Sequence, residues 1–272
     1  MTTKTQPTIT RHDSPRGGSR MYRVKGYDEP MPSVTTVLNM YPKPALWGWY
    51  NKMGREAMIE KLKPYLGERL TYEMLERANE EAKKRPEKVR DAAADFGTQA
   101  HTLIDLILKG AEVSIPPAFD SVVTNFSAWH TDTGLDIRMG EVMVYSPTLL
   151  YAGTFDAMGY TECKTCDPDT PPHGFGCPTC GGSFKRPVII DFKTSNGLYP
   201  EMDMQLAAYG YAWSEMFGEQ ITEGWLVRFS KDTPAKPEDA FEVKKVEGQQ
   251  YQAALEEFKA MLEWYKKHEA RK

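Results

Sequence analysis

The sequence predicts a mixed α/β domain, a mostly antiparallel group of strands packed with helices and entered through a helical N-terminal part. Three observations support this. Apolar residues recur at helical spacing in one long N-terminal stretch and in two later segments, and five short runs read as strands. Of the 272 residues, 40% are apolar and 11% aromatic, enough to build a core. The 34 basic and 38 acidic groups leave a net charge of −4, which argues against a protein that coats DNA through bulk charge. The best apolar run, residues 103–108, is short and contains Asp105, whereas a membrane span needs roughly 20 such residues. The N-terminus shows no basic cap followed by an apolar signal core. The expectation is a soluble cytoplasmic protein of a bacterium or a virus-infected host cell, not secreted and with no membrane partner.

Along the chain, residues 1–20 read as a flexible basic arm, and residues 1–30 carry a net +3. Ser33 caps a short helix reaching Tyr41. Trp47, Trp49 and Tyr50 open a helix toward Leu62, where at least two of the rings suit a core and the set could stack on nucleic-acid bases. Thr71 caps a helix over 72–84, and Pro86 begins a longer one, apolar at Val89, Ala93, Phe96, Ala100, Ile104 and Ile107 and ended by Gly110. Pro116 and Pro117 introduce a helix through Trp129. From Leu135 the period changes. Residues 141–145, 151–158 and 187–193 read as strands, 201–216 as a helix, 225–229 and 241–246 as strands, and 249–268 as a terminal amphipathic helix. The expected division is an arm over 1–20, a helical part over 21–134, a sheet core over 135–247 with an insertion at 160–186, and a C-terminal helix over 248–272.

All four cysteines fall in that insertion. Cys163, Cys166, Cys177 and Cys180 form two Cys-x-x-Cys pairs separated by ten residues rich in Pro, Gly, Asp and Thr. Two such turns can close a tetrahedron of thiolates around Zn²⁺. An iron–sulfur cluster or two disulfides are the alternatives, the latter disfavoured because intracellular thiols stay reduced. A structural zinc has no open position for substrate and staples the loop. His173, inside the loop, reads as solvent-facing.

Asp156 lies in one strand flanking the insertion, and Asp191 and Lys193 lie in the other. Side-chain alternation puts Asp191 and Lys193 on one face. With the insertion set aside, the two strands make a hairpin that brings Asp156 beside Asp191. Two such carboxylates repel unless a cation sits between them, and Mg²⁺ or Mn²⁺ suits oxygen ligands. A surface salt bridge is the alternative, made less comfortable because Asp191 follows Val188-Ile189-Ile190 in an apolar run.

Asp156 with Asp191-Phe192-Lys193 resembles the D…(D/E)-x-K core of the PD-(D/E)XK nuclease superfamily. Four further features resemble its RecB-like branch, which includes CRISPR-associated RecB-like nucleases and a mitochondrial genome-maintenance exonuclease. They are Gly97-Thr-Gln-Ala-His101, Glu141 in the preceding strand, Gln205-Leu-Ala-Ala-Tyr209 and the opening Pro32-Ser-Val-Thr-Thr-Val37. The similarity covers about residues 30–230. It implies a restriction-endonuclease-like α/β/α core carrying an inserted zinc-ribbon-like loop. It also implies a metal-dependent DNA nuclease, an exonuclease acting on single strands or duplex ends in recombination, repair or replication.

The roles follow from the same resemblance. His101, Asp156, Asp191 and the backbone carbonyl of Phe192 would hold one or two Mg²⁺ or Mn²⁺ ions, with Gly97 leaving room. Lys193 would be the catalytic lysine, and Gln205 and Tyr209 would contact phosphate or brace it. Glu141 would either line the site or face solvent. Many CRISPR-associated relatives hold an iron–sulfur cluster with cysteines from both ends of the domain; here all four lie in one loop, which favours zinc. The rival reading is a non-catalytic nucleic-acid- or protein-binding module with the cysteine hairpin as its contact surface.

Overall fold

The computed structural model describes residues 8–13, 19–163, 165–166, 177, 180, 182–232 and 236–268. The chain forms two compact units, Met1–Met40 with Ala100–Lys272, and Tyr41–Gln99. The boundaries differ from those read off composition because the segments on both sides of 41–99 belong with the sheet. His173 and most of the cysteine loop lie outside the described residues.

The first unit begins with a small antiparallel sheet, β1 (Ile9–Asp13), β2 (Arg20–Val24) and β3 (Met31–Pro32), in that order. The expected flexible arm is therefore partly a hairpin, with Ile9 paired to Val24 and Asp13 to Arg20. Its buried side is thin (Tyr22, Val24 and Met31 against Ala152), too few apolar positions to show as a period. Helix α1 (Val34–Leu38) follows, capped as expected: Ser33 Oγ accepts from the Thr36 amide at 2.8 Å.

The second unit holds α2 (Pro44–Leu62) and the first part of α3 (Tyr72–Leu108). Here two expectations fail. Among the α2 residues only Ala57 is buried; Trp47 is 80% exposed, while Trp49 and Tyr50 are half-buried edge to face. The helix break expected before Pro86 is absent, and α3 runs through it. Proline removes the amide that would bond the carbonyl four residues back, Ala82. Gly54 of α2 packs at that carbonyl, where a Cβ would stand 3.1 Å from the oxygen. The Pro86 ring is itself buried, while residues 87–95 that follow it in the helix are exposed.

From Ala100 onward the chain builds the main sheet. Its strands are β4 (Asp136–Ser146), β5 (Tyr151–Glu162), β6 (Lys185–Lys193), β7 (Glu223–Phe229) and β8 (Phe241–Glu247), in sequential order. The helices are α4 (Asp120–Thr133), α5 (Pro200–Phe217) and α6 (Gly248–His268). All neighbours are antiparallel except β6 and β7, which α5 connects as a parallel crossover. This is the mixed α/β class the sequence predicts. Strand β6 is buried continuously from Val188 to Phe192, as a strand covered on both faces must be. Phe192 meets Phe126 and Trp129 of α4, with ring centroids 5.7 and 5.5 Å apart. Toward α5, Gly224 is closely packed, since a Cβ there would stand 3.0 Å from Leu206. Among the described residues, no helix is long and apolar enough to cross a membrane.

Candidate active site and cysteine cluster

Strands β5 and β6 pair regularly from Glu162–Lys185 to Ala157–Ile190, and there the ladder stops. The next residue of β5 is Asp156, whose side chain takes over: Asp156 Oδ2 accepts from the Phe192 amide at 2.7 Å. The strands part at this point, so the carboxylate stands in an opening of the sheet. On the other side, Gly140 pairs with Ala157 and Val142 with Phe155, which leaves Glu141 opposite Asp156. Glu141 has φ +46°, a left-handed conformation costly for a residue with a Cβ. Regular alternation of β4 is interrupted where Asp156 is presented.

Four sequence-predicted residues surround Asp156 and Asp191. His101, on the part of α3 within the first unit, places Nδ1 2.9 Å from Asp156 Oδ1. Asp191 is 3% exposed and forms an ion pair with the Lys193 ammonium. Lys193 also donates to Gln205 Oε1 at 3.0 Å, and Gln205 Nε2 donates to Tyr209 Oη at 3.1 Å, the two α5 residues sharing one helical face. Tyr209 is buried beneath β5 at Gly153, where a methyl group would overlap its ring. From Phe192 the cluster receives an amide hydrogen bond; its ring is in the core. Glu141 is exposed and, among the described residues, has no hydrogen-bond or ion-pair partner.

The electrostatics separate the two acids. Burial pushes the Asp191 carboxyl above the usual carboxylate range, and the charge of Asp156 adds to that against Lys193. Burial acts on Asp156 too, but His101, Lys193 and the Phe192 amide outweigh it and hold Asp156 low. His101 is raised because Asp156 overcomes the burial that would lower it. Burial, with the nearby Asp191 charge, pushes the Tyr209 phenol well up, so it stays protonated.

A divalent cation fits the chemistry of this donor set: two carboxylates, Asp191 feeling the charge of Asp156, beside an imidazole. The donors are at present engaged with Lys193, His101 and the Phe192 amide. Their ligand atoms do not converge as the cysteines do. Among the described residues, Cys163, Cys166, Cys177 and Cys180 are the group whose ligand atoms all lie within 4.8 Å of one another. All four are free thiols. Cys163 and Cys177 Sγ are 3.8 Å apart, Cys166 and Cys180 Sγ 3.3 Å, and a tetrahedral zinc with Zn–S near 2.3 Å sets its sulfurs about 3.8 Å apart. The Cys180 thiol is pulled down to about 6: burial opposes ionisation, but hydrogen bonds from Cys166 and the Gly182 amide prevail. Cys166 is pushed well up by the same contact.

Sequence reasoning missed Asp105 as part of this architecture. It sits one turn beyond His101 on α3, with a side chain 9% exposed and Oδ2 bonded by Lys109 at 2.5 Å. Among the described residues its other oxygen has no hydrogen-bond partner, and it lies against Gly140 of β4, where a Cβ would overlap it. The four-residue spacing from His101 was the available signal.

No family model matches the chain, and no curated protein does. Among solved structures, it is similar to an alkaline exonuclease, LHK-Exo, from Laribacter hongkongensis, at 15% identity and TM-score 0.30, covering 64% of this chain and 84% of that one. The same enzyme in complex with dAMP gives 14% and 0.30, over 64% and 85% of the two chains. A protein described as SSO0001 gives 14% and 0.28, over 76% and 85%. Likeness this loose leaves function to be argued from the residues.

Proposed function

We propose that this chain is a metal-dependent deoxyribonuclease, an exonuclease of the RecB-like branch of the PD-(D/E)XK superfamily. It hydrolyses phosphodiester bonds at DNA single strands or duplex ends, in recombination, repair or replication. One observation carries the reading: where the β5–β6 ladder opens, Asp156 of β5 is bonded by His101 of α3 and by the Phe192 amide of β6, and the residues on either side of Phe192, Asp191 and Lys193, form a buried ion pair. Burying two interacting carboxylates is expensive unless cations match them. A purely structural pair has no need of a lysine oriented in turn by Gln205 and Tyr209.

Asp156, Asp191 and His101, with the carbonyl of Phe192, would hold Mg²⁺ or Mn²⁺, which when bound supplies positive charge at a phosphate and acidifies water. The chain's own groups do the rest. Lys193 is held from two sides, by Asp191 and Gln205, and from that fixed place its ammonium stabilises negative charge developing on a phosphate oxygen. Tyr209, protonated and buried, accepts from Gln205 and so keeps the amide oxygen turned toward Lys193. His101 fixes one oxygen of Asp156 and the Phe192 amide the other, leaving the carboxylate no freedom to turn away. The cysteines hold a structural Zn²⁺ that pins the far end of the same hairpin.

The test is release of nucleotides from end-labelled single-stranded and duplex DNA with Mg²⁺ or Mn²⁺. Asp191→Ala and Lys193→Ala should each lose about 10³-fold, with circular dichroism unchanged. Equal rates in wild type and both variants would remove the catalytic reading and leave a binding module.

A further inference from the structure

Lys193 ends β6, and directly beside it on the parallel strand β7 stands Arg228. Paired residues of neighbouring strands point to one face of a sheet. That face is the one α5 covers, since Lys193 bonds Gln205 and Lys244 of β8 bonds Asp203 at 2.7 Å. The intervening Phe192 and Phe229 turn to α4 instead. Two cations therefore stand side by side at the carboxyl ends of two parallel strands, the end at which open α/β sheets take ligands.

Like charges placed as direct neighbours across strands cost stability, and the internal compensation is incomplete. Lys193 has Asp191. Arg228 has Glu242, directly across on β8, which accepts from Arg228 Nε at 2.8 Å. Glu242 is 50% exposed, so water screens it and it orients the guanidinium more than it neutralises it. That bond uses one of five guanidinium N–H groups. Among the described residues it is the side chain's one hydrogen bond, and with 24% of the side chain exposed the outer edge is accessible.

We propose that this edge of Arg228 binds a backbone phosphate of the nucleic-acid strand, next to the phosphate that Lys193 serves. The proposal rests on the nuclease reading of the site. A guanidinium held at Nε presents its remaining N–H groups as a planar fork that matches two phosphate oxygens. Arg228 is a binding residue and takes no part in bond breaking.

The experiment is fluorescence anisotropy of a labelled single-stranded DNA oligonucleotide with Mn²⁺, on a Lys193→Ala background so that the strand survives. Adding Arg228→Gln should weaken binding about tenfold and lower the salt slope of log K by about 0.7. With Lys193 intact, Arg228→Gln should raise KM while kcat stays within about twofold, and Arg228→Lys should restore the slope but only part of the affinity. Arg228→Met, which keeps the apolar stem, serves if the glutamine variant fails to fold. Equal affinity and equal slope with and without Arg228 overturn the proposal while leaving hydrolysis untouched. Absence of metal-dependent hydrolysis in wild type would overturn the nuclease reading instead, and the anisotropy would still decide Arg228.

Discussion

The β5–β6 hairpin carries two kinds of polar cluster, one at each end. At the open end, His101 of α3 bonds Asp156 and Gln205 of α5 bonds the Lys193 paired with Asp191, so the cluster exists only once both helices have packed on the sheet. At the other end, beyond the Glu162–Lys185 pair, the ligand atoms of four cysteines spaced over residues 163–180 lie within 4.8 Å of one another. One end is assembled by tertiary structure and the other by spacing. The two should fail differently.

The largest difference is expected from Asp156→Ala set against a Cys163→Ser/Cys177→Ser double variant. Removing Asp156 strands the Phe192 amide and unties His101, so nucleotide release should fall about 10³-fold, with about 1–3 kcal/mol of stability lost for the orphaned groups. Metal analysis should find about one zinc per chain in the wild type and none in the cysteine variant. Its melting temperature should drop by about 6–12 °C if about 3 kcal/mol goes with the metal. Below that temperature it should still degrade DNA; a cysteine variant inactive while fully folded would erase the distinction between the two ends.

These two ends were also unequally legible in the sequence. The cysteines announce themselves by interval alone. Asp156, Asp191 and Lys193 could be placed because the strands alternate and the insertion could be subtracted. Asp105 offered only its four-residue spacing from His101; its place against Gly140 of β4 is a contact no periodicity encodes. The β1–β2 hairpin went unread for want of apolar residues, and Pro86 misled because its ring is buried within a continuous helix and Gly54 packs at the carbonyl it leaves without an amide.

Two smaller effects sharpen the picture of the open end. Gly140→Ala would force a methyl into the Asp105 carboxylate. The expected result is about 1–3 kcal/mol of destabilisation in a thermal melt and roughly tenfold slower hydrolysis as His101 shifts; an unchanged rate would detach the α3–β4 contact from the site. Tyr209→Phe keeps the ring and removes only the hydroxyl that accepts from Gln205. A loss of about threefold in kcat with KM unchanged is expected, in keeping with one neutral hydrogen bond.

The ring of Tyr209 fills the room a side chain at position 153 would need. Those two sites are thus a single inherited choice. A side chain added at 153 would have to displace or shrink Tyr209, and either change gives up the brace behind its lysine, so neither position can drift alone, and the cost of changing both should fall short of the separate costs added together.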